Sequence, residues 1–267
     1  MSDYQYIELS SPEFERDGLR FLTFKSPALR RRGDVSLFVP HQVENQKGMS
    51  LVLLLHGVCG SHWSWAMNGK AHLTAARLIS EGSLPPLVLA MPSDGLFGDG
   101  SGYIPRPDAD YEKWIVKDVV GCIREIFPFI TATSKLFIAG LSMGGFGALR
   151  LGAKYAELFS GVSAHSSLTH LVQLERFVKT PFIDYADLSE EKVSALYWLK
   201  QNKEILPSIR FDCGIQDELI EENRALRRNL QTNSIKHQYF EFSGGHSWDY
   251  WQKHLQDTLL FFAKQMK

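Results

Sequence analysis

The sequence predicts an α/β fold with a mostly parallel central sheet, antiparallel strands at its N-terminal edge and helices on both faces. From residue 50 onwards, short continuously apolar runs alternate with longer segments of helical periodicity, which is typical of α/β folds. Before residue 50 the chain has three β-rich segments instead. The chain has 267 residues with 44% hydrophobic content, so we expect residues 1–267 to form a single domain.

The three N-terminal segments are predicted to form an antiparallel meander. Turn residues separate them, and each is rich in aromatic or β-branched residues. The segments are YQYIEL (4–9), LRFLTFKS (19–26) and DVSLFVP (34–40). We expect this meander to form the leading edge of the sheet.

Three later strands are predicted from apolar runs that would be buried on both faces of a parallel sheet; they cover residues 51–55, 87–91 and 135–139. Further strands are predicted at 159–163, 208–213 and 237–242. Apolar residues at helical spacing predict a helix over 110–127, which Pro128 ends. Residues 165–207 show no convincing strand and are predicted to be an insertion. It either caps a pocket or packs as a helical excursion on the sheet edge.

The motif with the most specific chemistry is Gly140-Leu141-Ser142-Met143-Gly144. It has the G-x-S-x-G form, and it stands between a predicted strand and a predicted helix over 145–155. Glycines at both ends allow a tight strand-to-helix turn that exposes a strained serine. This context predicts Ser142 as a nucleophile.

A serine nucleophile needs a base and a carboxylate that orients the base. His246 follows the last predicted strand and is preceded by two glycines, so it is the predicted base. Asp217 follows the preceding strand and is the predicted carboxylate, although a helix N-cap is its simpler interpretation. Asp212 lies within that strand, and Asp249 is a weaker alternative.

The developing oxyanion needs hydrogen-bond donors. The loop His56-Gly57-Val58-Cys59-Gly60 follows an apolar strand, where this kind of fold supplies one donor. The backbone N–H groups of Val58 and Met143 are the predicted pair.

The sequence resembles the "putative esterase" family of α/β-hydrolases, which includes S-formylglutathione hydrolases, feruloyl esterases, acetyl esterases and short-chain tributyrin-type esterases. The resemblance runs from about residue 34 to the C-terminus. The motifs that carry it are HGVCGSHWSW (56–65), MPSDGLFGDGSGY (91–103), AGLSMGGFGALRLG (139–152), FDCGIQDEL (211–219) and GGHSWDYW (244–251).

The resemblance implies that Ser142, Asp217 and His246 form a catalytic triad and that Val58 and Met143 line the oxyanion hole. We therefore expect a serine carboxylesterase that hydrolyses short-chain acyl esters through an acyl-enzyme. Two alternatives stay open: a thioesterase of the S-formylglutathione hydrolase type, and a non-catalytic binding protein with the same fold. Trp63, Trp65 and Tyr103 are the residues expected to line the substrate pocket, against the simpler interpretation that they pack the fold or form turns.

Composition limits the partners. The formal net charge of −1 argues against nucleic acid and favours a small, weakly charged substrate, which the resemblance implies is an ester. No metal-ligand spacing such as HExxH is present, so we expect neither a metal nor a cofactor. The cysteines, Cys59, Cys122 and Cys213, are odd in number, widely spaced and without a CxxC pair, which argues against a disulfide framework. With no signal-like N-terminus and no membrane-spanning apolar run, this predicts a cytoplasmic protein without a membrane partner. We also allow for a homo-oligomer, since the insertion carries apolar residues.

Overall fold

The computed structural model describes residues 4–41, 47–178 and 188–266. Its described part contains one nine-stranded sheet. The strands are β1 (Gln5–Leu9), β2 (Leu19–Ser26), β3 (Arg31–Phe38), β4 (Ser50–Leu55), β5 (Leu87–Pro92), β6 (Leu136–Leu141), β7 (Gly161–His165), β8 (Ser208–Gly214) and β9 (Gln238–Phe242).

The order of strands across the sheet is β1-β2-β3-β5-β4-β6-β7-β8-β9. The first three strands are antiparallel, and β3 also pairs antiparallel with β5. Every other pairing, from β5 through β4 to β9, is parallel. The predicted meander at one edge of a mostly parallel sheet is therefore confirmed.

The central strands are apolar throughout because both of their faces are buried. All six residues of β4 are buried, and alternate side chains enter two different hydrophobic cores. Leu51, Leu53 and Leu55 pack into one core, whereas Val52 and Leu54 pack into the other. Successive side chains of a strand point to opposite faces, so a strand buried on both faces has a continuous hydrophobic run in its sequence. These strands can therefore be recognised in the sequence.

Nine α-helices connect and cover the sheet within the described residues. They are α1 (Ser64–Met67), α2 (Ala71–Ser80), α3 (Tyr111–Lys113), α4 (Val120–Ile126), α5 (Met143–Lys154), α6 (Glu190–Val193), α7 (Ala195–Gln201), α8 (Ile220–Thr232) and α9 (Trp248–Met266). Buried residues of α4, α5 and α8 belong to one core, and those of α2 and α9 belong to the other. The helices therefore lie on both faces, as predicted.

The helix predicted over 110–127 is present but not uniform. Asp110 caps its start by accepting a hydrogen bond from the Lys113 N–H, and the chain becomes extended at Phe127. A π-helical segment, Trp114–Val119, separates α3 from α4. Such segments are single-turn adjustments inside helices, and residue periodicity does not reveal them.

The insertion predicted over 165–207 is helical where the structure describes it. It contains a short 3₁₀ helix (Leu171–Arg176), α6 and α7, and α7 packs against α5. Residues 179–187 of the predicted insertion lie outside the described residues. The packing of α7 fits the helical excursion, while Phe177 of the same segment stacks on the ring of His246. The cap role stays a prediction.

Candidate active site

Ser142 lies at a sharp turn between β6 and α5. Its backbone has φ 53° and ψ −120°, a conformation that costs energy for a residue with a side chain. Two glycines make the turn feasible. A Cβ on Gly140 would lie 2.2 Å from the carbonyl oxygen of Gly144, and one on Gly144 would lie 2.3 Å from the carbonyl oxygen of Leu55. The strand is longer than predicted, because Gly140 continues the ladder opposite Leu55.

The structure brings together the three residues predicted as a triad. The Oγ of Ser142 lies 3.0 Å from Nε2 of His246. On the other side of the ring, Nδ1 lies 3.1 Å and 3.0 Å from the two carboxylate oxygens of Asp217. A carboxylate only accepts, so Nδ1 carries the proton and Nε2 accepts from the serine hydroxyl. This is the tautomer that a general base needs.

Asp217 is buried, and its charge is stabilised locally. Burial acts to raise the pKa of Asp217, but the hydrogen bond and charge of His246 and the Leu219 N–H outweigh it and lower that pKa. The carboxylate is therefore ionised at neutral pH. Asp217 also accepts from the Leu219 N–H at 2.9 Å, in the turn before α8. The N-cap position of α8 is Leu219, however, so the simpler interpretation of Asp217 as a helix N-cap is wrong.

The loops that carry the carboxylate and the histidine are joined to each other. Gln216 accepts a hydrogen bond from the Gly244 N–H through its side chain at 2.6 Å and donates its own N–H to the Gly244 carbonyl at 3.0 Å. A Cβ on Gly214 would lie 2.2 Å from that same carbonyl oxygen. This close approach fixes the spacing between Asp217 and His246.

Asp212, the carboxylate inside the strand, serves a different histidine. It is fully buried and faces His165 Nδ1 at 2.9 Å, the Tyr250 hydroxyl at 2.8 Å and the Arg210 guanidinium. Burial acts to raise the pKa of Asp212, but His165, Arg210 and Tyr250 lower it to about 2. Asp249, the other alternative, is exposed in the first turn of α9.

The two predicted oxyanion donors lie beside the serine. Met143 is the first residue of α5, so its N–H is one of the four that a helix leaves without an intrahelical acceptor. In the other loop, the Cys59 N–H donates to the Asp99 carbonyl and the Gly60 N–H donates to the Gly57 carbonyl. Of the three consecutive amides 58–60, this leaves Val58 as the candidate donor.

A cavity of about 460 Å³ opens at Ser142 and His246. The predicted pocket residue Trp63 lines it and is 44% exposed. The rest of the wall comes from residues 56–60, called the oxyanion loop below, from α1 and the residue after it, from the end of β6, from the insertion and from the start of α9. These residues are His56, Gly57, Val58, Cys59, Gly60, Ser64, Asn68, Leu141, Phe177, Ser247, Trp248 and Trp251.

Trp65 and Tyr103 are placed differently, and the prediction that they line the pocket is wrong. Both are buried in the hydrophobic cores. The Trp65 indole N–H donates to the Leu55 carbonyl at 2.9 Å, and the Tyr103 hydroxyl donates to the His56 carbonyl at 2.9 Å. A buried aromatic polar group needs such a partner, and these partners lie inside the fold.

Three aromatic residues of the cavity wall, Phe177, Trp248 and Trp251, were not predicted from the sequence, and two of them contact His246. Phe177 stacks on the His246 ring with centroids 4.8 Å apart and planes at 26°. Trp251 meets the same ring edge-on at 4.9 Å. Trp251 belongs to the GGHSWDYW motif that also contains His246, five positions earlier, and this short distance in sequence could have indicated the contact. Phe177 stands in the insertion, 69 positions before His246, and no local pattern marks it.

Within the described ranges, no group of three or more His, Cys, Asp or Glu side chains is arranged to hold a metal ion. A search of the same residues for helices long and apolar enough to cross a membrane finds none.

Comparison with known proteins gives the family. Residues 26–262 match the model of the family described as "Putative esterase". The chain belongs to this esterase family. An acetyl esterase from Caldicellulosiruptor saccharolyticus is 28% identical over 269 residues, which cover 91% of this chain and 97% of that protein. The family and its named relatives make the chain a carboxylic ester hydrolase.

Solved structures agree on the fold. A ferulic acid esterase matches with a TM-score of 0.79 at 23% identity, covering 98% of this chain and 100% of that one. An S-formylglutathione hydrolase from Staphylococcus aureus matches with a TM-score of 0.74 at 18% identity, covering 96% and 99%. The predicted α/β-hydrolase fold is therefore confirmed.

Proposed function

We propose that this esterase hydrolyses short-chain acyl esters through an acyl-enzyme on Ser142. The observation that carries the proposal is the continuous hydrogen-bonded series from Ser142 Oγ through His246 to the Asp217 carboxylate, with Ser142 and His246 lining a cavity. Distances of 3.0–3.1 Å along the series are within the reach of proton transfer.

In the first step, His246 Nε2 takes the hydroxyl proton as Ser142 Oγ attacks the ester carbonyl carbon. The carbonyl π electrons move to oxygen, and the N–H groups of Val58 and Met143 stabilise that oxyanion. The oxyanion then reforms the carbonyl, the bond to the alcohol oxygen breaks, and the alcohol leaves with the proton from Nε2. Asp217 keeps the imidazolium oriented and balances its charge.

In the second step, water takes the place of the alcohol. His246 Nε2 removes a proton from the water as its oxygen attacks the acyl carbon, and the same two N–H groups stabilise the new oxyanion. The bond to Ser142 Oγ breaks, and Nε2 returns the proton to the serine. The products are the carboxylic acid and the free enzyme, and every proton is accounted for without a cofactor.

The size of the cavity supports a small substrate. Its volume of about 460 Å³ lies in the lower half of the range of about 300–1,000 Å³ for small-molecule sites. The rings of Phe177 and Trp251 contact His246 and line the cavity beside it. This limits the length of the acyl group that fits beside the nucleophile. The three cysteines are unpaired, which supports a reducing, cytoplasmic location.

The test is hydrolysis of p-nitrophenyl esters from acetate to octanoate, with a thioester of matched acyl group, by wild type and Ser142→Ala. We expect activity that is highest on short oxygen esters and that falls by at least about 10⁴-fold in the variant. Preference for the thioester would transfer the proposal to the S-formylglutathione hydrolase type. Activity that survives the substitution would overturn the nucleophile.

A further inference from the structure

His56 is a buried histidine outside the proposed triad, and its ring makes hydrogen bonds on both sides. It is 2% exposed and is the first residue of the loop 56–60, which contains Val58. Nδ1 lies 2.7 Å from the carbonyl oxygen of Gly57, and Nε2 lies 3.0 Å from the backbone nitrogen of Asp94.

These two partners decide where the ring proton lies. The Asp94 amide is a donor, so Nε2 accepts, and the Gly57 carbonyl is an acceptor, so Nδ1 donates. The imidazole is then neutral with its proton on Nδ1. Burial lowers the pKa of His56, against the opposing effect of the Asp94 carboxylate, which agrees with a neutral ring.

The Gly57 carbonyl and the Val58 N–H belong to one peptide group. In a trans peptide the C=O and N–H bonds point in opposite directions. The described residues contain no cis peptide bond, so a carbonyl directed at the imidazole sends the Val58 N–H away from it. The same peptide lies next to the nucleophile, because a Cβ on Gly57 would be 3.7 Å from Ser142 Oγ.

We propose that His56 is a positioning residue that sets the oxyanion donor by holding the Gly57–Val58 peptide in one orientation. The inference rests on the proposed function, in which Val58 supplies that donor. A free peptide in a glycine-containing loop could rotate and turn its carbonyl toward the oxyanion, which would repel it. The Nδ1–H bond at 2.7 Å opposes this rotation together with the longer bond from the Gly60 N–H at 3.3 Å, so the donor is oriented before substrate arrives.

The surroundings of His56 hold the ring itself in place. The Tyr103 hydroxyl donates to the His56 carbonyl at 2.9 Å. A Cβ on Gly60 would lie 2.6 Å from Nδ1, so the Gly60 backbone lies directly against the ring. Asp94 is fixed in turn, since its carboxylate accepts the N–H groups of Leu96 at 2.9 Å and Ser101 at 2.6 Å. The glycine-rich loop after β5 therefore holds His56 in place, and through His56 the Gly57–Val58 peptide.

Two substitutions of His56 distinguish the role of Nδ1 from the role of Nε2. The side-chain amide of His56→Asn places an N–H donor near the position of Nδ1, whereas that of His56→Gln places its polar atoms near Nε2. Only the asparagine can donate to Gly57. His72→Gln is the matched control, because His72 is also buried but lies on α2 outside the cavity wall.

The measurement is kcat and KM for p-nitrophenyl acetate, with circular dichroism and Tm for each variant. We expect His56→Gln to lower kcat by about 100-fold, the usual effect of losing one oxyanion donor, with little change in KM. His56→Asn should lose less than about tenfold. The control should match wild type.

The outcomes separate this inference from the proposed function. An inactive wild type, or an active Ser142→Ala, would refute the proposed function. An active wild type with a folded His56→Gln variant of unchanged kcat would refute the inference alone, and so would equal losses in the two His56 variants. If His56→Gln does not fold, Gly60→Ala replaces it. Its Cβ would lie 2.6 Å from Nδ1 and 3.0 Å from the Gly57 carbonyl oxygen, so it disrupts the bond between them. The same loss of kcat is expected, and an unchanged kcat would refute the inference.

Discussion

Replacing Gly144 by alanine tests how closely the turn at Ser142 must approach β4. The new Cβ would lie 2.3 Å from the carbonyl oxygen of Leu55 and 2.5 Å from that of His56. Real Cβ atoms essentially never come within 3.0 Å of such atoms, so α5 and the end of β4 must separate by at least about 0.7 Å in this closely packed interior. That separation moves Ser142 relative to the oxyanion loop.

The expected consequence is larger for catalysis than for stability. A misplacement near 1 Å costs about 10²-fold in rate, so kcat/KM should fall by about that factor. Overpacking of this size costs about 1–3 kcal/mol in the free energy of unfolding. The assay pairs p-nitrophenyl acetate hydrolysis with urea unfolding.

Gly82→Ala is the matched control. Gly82 has φ +68°, and a Cβ there would have no neighbour within 4 Å. Alanine at this position costs about 1–2 kcal/mol through backbone strain alone. The control should therefore lose stability but keep its kcat/KM. A Gly144→Ala enzyme with full kcat/KM would refute the argument that this contact sets the geometry of the turn.

The remaining predictions concern His246 and the two buried carboxylates. Phe177→Ala removes the ring stacked on His246. Because aromatic pairs contribute about 0.5–1.5 kcal/mol, kcat for ester hydrolysis should fall about 2- to 10-fold. An unchanged kcat would show that the stack does not position the base. Asp217→Asn should lower kcat by about 10⁴-fold while the protein stays folded in circular dichroism, and a small effect on kcat would count against its role. Asp212→Asn leaves Arg210 without its buried partner, so the free energy of unfolding should fall by about 3–5 kcal/mol in urea titrations, and wild-type stability would contradict this. The pKa of Asp212, lowered to about 2 in the folded state, also predicts a pH effect. The ionised carboxylate stabilises the fold by about 2–3 kcal/mol above the unfolded pKa near 4, and this stabilisation is lost as the pH falls toward 2. The free energy of unfolding should therefore decrease from pH 5 to pH 2, and Asp212→Asn should make that decrease smaller.

The strands and the candidate site residues are visible in the sequence for physical reasons. Parallel strands buried on both faces are mostly apolar, as β5, β6 and the residues of β4 after Ser50 are. Polar residues occur in such a strand where they pair, as Arg210 and Asp212 do in β8. Ser142, Asp217 and His246 each follow a separate strand. Because the C-terminal ends of parallel strands share one edge of the sheet, these positions converge, and the structure brings the three side chains within hydrogen-bonding distance.

The direction of aromatic side chains was not predictable in the same way. Trp63 and Trp65 are two positions apart, yet one lines the cavity and the other is buried with its indole N–H on the Leu55 carbonyl. Which of them turns inward depends on which backbone carbonyl the folded chain brings within reach of the indole N–H. Phe177 reaches His246 from a distant segment, and only the packing of the insertion reveals that contact.

The central claim is that Ser142 is the nucleophile, and a fluorophosphonate tests it most directly. The reagent phosphonylates an activated serine, and the modified residue is located by mass spectrometry of proteolytic peptides. We predict one adduct on wild type, on the peptide that contains Ser142, with loss of ester hydrolysis in proportion to labelling, and no adduct on Ser142→Ala. An adduct on another residue, or a Ser142→Ala enzyme that still hydrolyses esters, would contradict the account.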